Sequence, residues 1–220
     1  MKRTFLKILG VVLACLVFMG TLFALSRLFA PKYAESAVEG RLVSEYYGEQ
    51  TPHDMIFLGD CEVFSNFSPV TLYQEYGITS CIRGSAQQLI WQSYYLLEDV
   101  LKTETPKVVV YNVLALKYGE PQSEAYNRMT LDGMRWGGAK IGAIRASMTD
   151  GEDFMSYVFP LLRFHARWSE LKEEDFSYWF RQGEPVSYHG YLLRTEVRPA
   201  TETPIPRVLQ DPHLEKLAAE

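Results

Sequence analysis

The chain opens with its longest apolar run. From Ile8 to Leu25 there are 18 consecutive residues without a charge, close to what a helix needs to cross the hydrocarbon core of a bilayer. Lys2, Arg3 and Lys7 stand before this run. Basic residues on the leading flank keep that side in the cytoplasm, so the pattern predicts a cytoplasmic tip and transmembrane signal-anchor over residues 1–30, with everything after about Pro31 facing outward. The exit, Leu25-Ser26-Arg27-Leu28-Phe29-Ala30-Pro31, has no small-x-small step and puts a proline where cleavage would fall, which favours an uncleaved anchor. A lipoprotein reading through Val12-Leu13-Ala14-Cys15 would cut the apolar core near its middle.

Beyond the anchor, residues 31–53 are mixed and polar, with Tyr46-Tyr47-Gly48 and Thr51-Pro52 as breaks, and are expected to form a stalk with a short lead-in helix. Met55-Ile56-Phe57-Leu58 is apolar on both alternating faces, the pattern of a central strand in a parallel sheet covered on both sides. Ser68-Pro69 starts a short helix that Gly77 ends. A second strand is expected at about Ser80 to Arg83, ending in Gly84-Ser85. Leu89, Ile90, Tyr94, Leu97, Val100 and Leu101 then recur at helical spacing until Thr105-Pro106, and Val108-Val109-Val110-Tyr111 is the third strand. This β-α-β-α-β order over residues 54–118 predicts a doubly wound α/β parallel sheet with right-handed crossovers.

After Leu116 the pattern changes. Glycines and Pro121 punctuate a region rich in Met and aromatics, and residues 119–198 read as a helical insertion or cap over the strand ends. Thr149-Asp150-Gly151-Glu152 is a capping-box pattern that predicts a helix from 150 to about 168, with another near Leu171 to Phe180. Pro199, Pro204, Pro206 and Pro212 mark residues 199–220 as an exposed Pro-rich arm and tail.

Composition narrows the function. A chain of 220 residues that is 47% hydrophobic is long enough for one packed domain. A net charge of -5, with no basic cluster after the anchor, argues against a nucleic-acid partner. Cys15, Cys61 and Cys81 form neither a disulfide framework nor a C-x-x-C zinc pattern. Cys81 starts its strand whereas Cys61 lies past the end of its own, about 16 Å apart along neighbouring strands, so the two cannot pair. Cys81 is expected in the core. Asp60, Glu62 and one stray histidine make no recognisable metal-ligand set, and neither a metal nor another cofactor is expected.

In doubly wound sheets ligands bind beyond the carboxyl ends of the strands. Those ends are Gly59-Asp60-Cys61, Gly84-Ser85 and Asn112. Ile56-Phe57-Leu58-Gly59-Asp60-Cys61 resembles the first block of the SGNH/GDSL hydrolases, whose strand ends in Gly-Asp-Ser, with Cys61 at the position of the serine nucleophile. By that resemblance Gly84 supplies a backbone N–H and Asn112 a side-chain donor to the oxyanion hole, and Asp60, Cys61, Gly84 and Asn112 form the catalytic group. The run from about His53 through Leu171, including Gly84-Ser85-Ala86-Gln87-Gln88 and Phe159-Pro160-Leu161-Leu162-Arg163-Phe164-His165-Ala166-Arg167-Trp168-Ser169-Glu170-Leu171, is similar to a membrane-anchored bacterial branch of the superfamily. The resemblance implies a flavodoxin-like sheet, incomplete at the carboxyl end of this chain. It also implies an acylated glycan or envelope polymer as substrate and a membrane-bound O-acyltransferase as partner.

The residues themselves leave the base open. A thiol can serve as acyl acceptor, but Asp60 and Glu62 on either side oppose the thiolate by like-charge repulsion. No Asp-x-x-His block occurs. His53 precedes the first strand, His165 falls within the expected 150–168 helix, His189 lies in a turn-rich segment that could reach the cleft as part of a lid, and Asp211-Pro212-His213 has the wrong spacing. Two classes remain: an extracytoplasmic ester hydrolase or O-acyltransferase, and a non-catalytic tethered glycan- or partner-binding protein that keeps the fold.

Overall fold

A computed structural model describes residues 2–31, 38–49, 52–177 and 185–195. The arm and tail at 199–220, with Asp211 and His213, lie outside the described residues. Helix α1 (Lys2–Phe29) is continuous, about 42 Å long at 1.5 Å per residue, against a hydrocarbon core of about 30 Å. Within Arg3–Phe29 an 18-residue window has a mean hydropathy of 2.7, and none of that window is buried against the rest of the chain. By length and composition it can cross a membrane. Its carboxyl end touches the domain, where the Leu161 N–H donates to Ser26 Oγ at 3.2 Å and Arg167 donates to the Phe29 carbonyl at 2.6 Å.

The sheet has three parallel strands, β1 (Met55–Gly59), β2 (Ser80–Gly84) and β3 (Val108–Tyr111), in the order β2-β1-β3. Met55 pairs with Ser80 and Val108, and Gly59 pairs with Gly84. Between β1 and β2 come α2 (Cys61–Asn66) and α3 (Pro69–Tyr76); α4 (Ile90–Val100) links β2 to β3. The ends of α3 follow from local chemistry. Ser68 Oγ accepts from the Thr71 N–H, Pro69 fills the first turn, and Gly77 takes a left-handed φ of 67° that closes the last one.

Because side chains alternate along a strand, the sheet has two apolar faces. Ile56, Leu58 and Cys81 pack with Leu96 and Val100 of α4, with Leu131 of α5 (Glu124–Gly133), and with Ala139, Ala143 and Ile144 of α6 (Gly138–Ser147). Phe57 and Ile82 pack on the other side with Val63 and Phe64 of α2, Leu42 and Leu192. Each fully buried Leu, Ile or Phe among these contributes about 1.5–3 kcal/mol. The expected lead-in helix is present at Leu42–Glu45, with Leu42 and Val43 buried against the sheet. Strand β3 is less covered: Val108 and Val109 are 45% and 38% exposed, and among the described residues β3 pairs only with β1.

The helix expected from 150 to 168 is broken. It divides into α7 (Phe154–Val158), α8 (Leu161–Phe164) and a 3-10 turn, His165–Ser169. Pro160 has no N–H to give and pushes Phe159 out of helical geometry, to φ -124°, ψ 84°. Glu152 does accept from the backbone and hydroxyl of Thr149, but Gly151 turns at φ 87° and the helix starts after Asp153. Of the helix expected at 171–180, Glu173–Ser177 is seen, Leu171 and Lys172 precede it outside the helix, and 178–180 lie outside the described residues.

Candidate functional site

The carboxyl ends of β1 and β3 meet at Asp60. Leaving β1 in extended geometry, Asp60 caps α2: its Oδ1 accepts from the Glu62 N–H at 3.1 Å and from Asn112 Nδ2 at 3.1 Å. Asn112 follows β3 directly. Its backbone N–H donates to the Leu58 carbonyl at 2.9 Å, and its Oδ1 accepts from the Leu114 N–H at 2.9 Å, capping the 3-10 helix Val113–Lys117. The carboxamide is therefore held from both ends. A methyl group at Gly59 would stand 2.6 Å from the Asn112 Cβ and 2.5 Å from Val63, so glycine is what lets β1 and Asn112 approach. Gly84 lies beside Gly59 in register, and a Cβ there would sit 2.9 Å from the Gly59 carbonyl.

Cys61 opens α2 and is exposed, whereas Asp60 is buried. Desolvation raises the pKa of the Cys61 thiol above its ordinary value, the charges of Asp60 and Glu62 raise it further, and nearby backbone N–H groups only partly oppose them. The thiol is neutral at neutral pH. Among the described residues no histidine is hydrogen-bonded to it; His165 is exposed on the 3-10 turn, with Nδ1 3.2 Å from the Leu162 carbonyl. Cys81 is buried in the core and unpaired to any cysteine, as its strand position implies.

The turn after β2 is a closed polar network. The Ser85 hydroxyl is bonded to Thr130 and donates to Gln88 Oε1. Gln88 Nε2 donates to the Arg83 carbonyl at 3.1 Å and to Ser93 Oγ at 2.7 Å. With its partners satisfied internally, this buried set holds Gly84 in place.

A second cluster occupies the opposite, amino end of the sheet. His53 is 5% exposed; its Nδ1 lies 2.9 Å from Glu104 Oε2, which also accepts from the His53 backbone N–H at 2.8 Å. Tyr46 donates to the other Glu104 oxygen at 2.6 Å. Burial works against the Glu104 carboxylate, but the bonds from Tyr46 and His53 outweigh it and hold its pKa below the ordinary value. An ionised carboxylate only accepts, so Nδ1 of His53 is the donor. The buried Nε2 has no hydrogen-bond partner.

His189, which the sequence allowed to serve in a lid over the strand ends, is placed at this end instead. The carboxylate of Glu45 accepts from Val186 and Ser187, and the His189 carbonyl accepts from the Ile82 N–H at 2.9 Å, strapping the segment along the outer edge of β2. His189 has a φ of 53°, and Gly190 at φ 83° packs so closely that a Cβ would meet the Ile82 carbonyl at 2.2 Å. His189 Nδ1 lies 3.1 Å from Glu49 Oε1. Nothing in the sequence signalled this grouping, because its third member arrives from far along the chain. Glu49 and Glu104 also line a cleft of about 420 Å³ with Tyr46, Tyr47, Asp99 and Arg135.

Comparison with known proteins adds no assignment. No family model, no curated protein and no solved structure matches the chain. What the arrangement can do is therefore argued from its own atoms. The Asn112 carboxamide has two N–H bonds and gives one of them to Asp60, while Cys61, the next residue, is exposed.

Proposed function

We propose that the chain is a membrane-tethered α/β protein of SGNH/GDSL-like type whose outward-facing domain handles acyl groups of envelope glycans or polymers. The observation that carries this reading is the Asp60–Asn112 bond beside an exposed thiol, at the carboxyl ends of strands whose glycines 59 and 84 are in register. The Cys61 thiolate attacks the acyl carbonyl, and the free Asn112 N–H and the Gly84 N–H face the developing oxyanion. The alcohol leaves with a proton from water, and the thioester passes its acyl group to water or to an acceptor hydroxyl. Asp60 is a positioning residue that orients Asn112. No described imidazole takes the thiol proton, so ionisation runs through solvent and the reaction is favoured at alkaline pH.

A non-catalytic tethered binding module is the second reading, favoured by the raised thiol pKa between Asp60 and Glu62. One experiment separates the two. The full chain in detergent is incubated with p-nitrophenyl acetate above pH 8, and the Cys61 peptide is weighed. The acyl reading expects acetylated Cys61 and turnover abolished in Cys61→Ala, with turnover lowered by about 10²–10³-fold in Asn112→Ala. Turnover indifferent to Cys61→Ala, or an unacetylated Cys61 with binding of an acylated glycan intact in that variant, leaves the binding module.

A further inference from the structure

The strongest feature outside the Cys61 region is the group Glu49, His53 and His189, whose ligand-capable atoms all lie within 4.8 Å of one another. Three independent features converge there. His53 keeps its Nε2 buried and unpartnered, although an orphan buried polar atom is costly. Its other ring nitrogen donates to Glu104, the carboxylate–imidazole arrangement that fixes the tautomer and orients the ring of a metal-bound histidine. His189 and Glu49 face each other at 3.1 Å, and the two imidazole rings stand 6.3 Å apart at 72°.

We propose that Glu49, His53 and His189 form a site for a divalent metal ion of the zinc class. Two imidazoles and one carboxylate match the borderline-soft character and four-coordinate geometry of Zn²⁺, whose ligand atoms stand about 3.3 Å apart in a tetrahedron with bonds of about 2.0 Å. Only small side-chain movements are required: the Glu49–His189 hydrogen bond opens, any proton it holds goes to solvent, and both atoms turn to the metal. The His189 side chain is 49% exposed, so a water can reach the fourth position. The site joins the chain leading into β1 to the strap on the edge of β2, so the metal stabilises that docking. It lies at the opposite end of the strands from Cys61 and does not depend on the acyl reading.

The test uses the full chain in detergent, stripped with a chelator and titrated calorimetrically with Zn²⁺ alone, then with Co²⁺ followed by visible absorption. One Zn²⁺ per chain is expected, with a raised melting temperature on addition. His189→Ala and Glu49→Gln each weaken binding by about 100-fold or more, and Glu104→Gln by about 10- to 100-fold. Cys61→Ala, which removes a competing exposed thiol, leaves binding unchanged. Co²⁺ gives four-coordinate d–d bands without a thiolate charge-transfer band. Absence of saturable binding, or binding that persists in His189→Ala, reduces the cluster to a His189–Glu49 contact beside the buried His53. A thiolate band places the metal on Cys61 and overturns the site.

Discussion

At the scale of single residues, the region around Cys61 is governed by Asp60. One buried carboxylate caps α2, fixes Asn112 and sets the charge felt by the thiol. A thiol with a raised pKa stays protonated until the pH passes the ordinary thiol range, near about 8.5. Alkylation of Cys61 by iodoacetamide is therefore slower at pH 8 than that of a free cysteine peptide, and it continues to rise with pH where the peptide has levelled off. Glu62→Gln removes a neighbouring charge and speeds the reaction at pH 8 by about 2- to 3-fold. Quantitative mass spectrometry of the Cys61 peptide reads both effects; a Cys61 faster than the free peptide contradicts the electrostatics. The residue types at the strand ends were legible, since glycines and polar residues follow apolar runs there. That Asp60 engages Asn112 was not, because the bond spans two strands.

At the scale of elements, β2 shows how a strand can hide a charge. Arg83 is fully buried, although the alternation of Ser80 to Gly84 marks it only as a strand residue. Its guanidinium lies 4.1 Å from the Tyr46 ring centroid and 5.0 Å from that of Tyr47; Nη1 donates to the Val43 carbonyl at 2.6 Å, and Nη2 is 3.5 Å from Asp99. The two tyrosines that read as a break before the domain thus stack on a buried cation. Replacing Arg83 by Ala removes the Nη1 donor to the Val43 carbonyl and one of the partners of Asp99, which keeps Tyr47 and Lys102, and it opens a cavity. The expected loss, from the cavity and the lost hydrogen bond, is about 2–5 kcal/mol in urea unfolding of the domain, and Arg83→Lys recovers only part, lacking the planar stack and fork. A loss below about 1 kcal/mol would show that the tyrosines repack without it. Helix ends at Ser68, Pro69 and Gly77 were readable because caps are local, and the break at Pro160 follows from a local rule as well. The capping pattern at Thr149 misled because it closes an isolated turn.

At the scale of the whole molecule, one apolar helix is joined to an α/β domain whose strands are covered on both faces. Membranes carrying the full chain should retain it through alkaline carbonate washing and release it to detergent. A chain starting at residue 31 should fractionate as soluble, and retention of that form would show that the domain itself holds the bilayer. The helix of membrane-crossing length was legible as an uninterrupted apolar run, and the β-α-β-α-β order as strand-length apolar segments separated by turn chemistry. Both are one-dimensional signals, since length and period need only neighbours along the chain. The tertiary structure alone decided which distant groups meet: Asn112 with Asp60, Arg83 with Tyr46 and Tyr47, and His189 with Glu49 and His53. Such contacts depend on strand order, register and the path of the strap along β2, and no local pattern encodes where a chain returns.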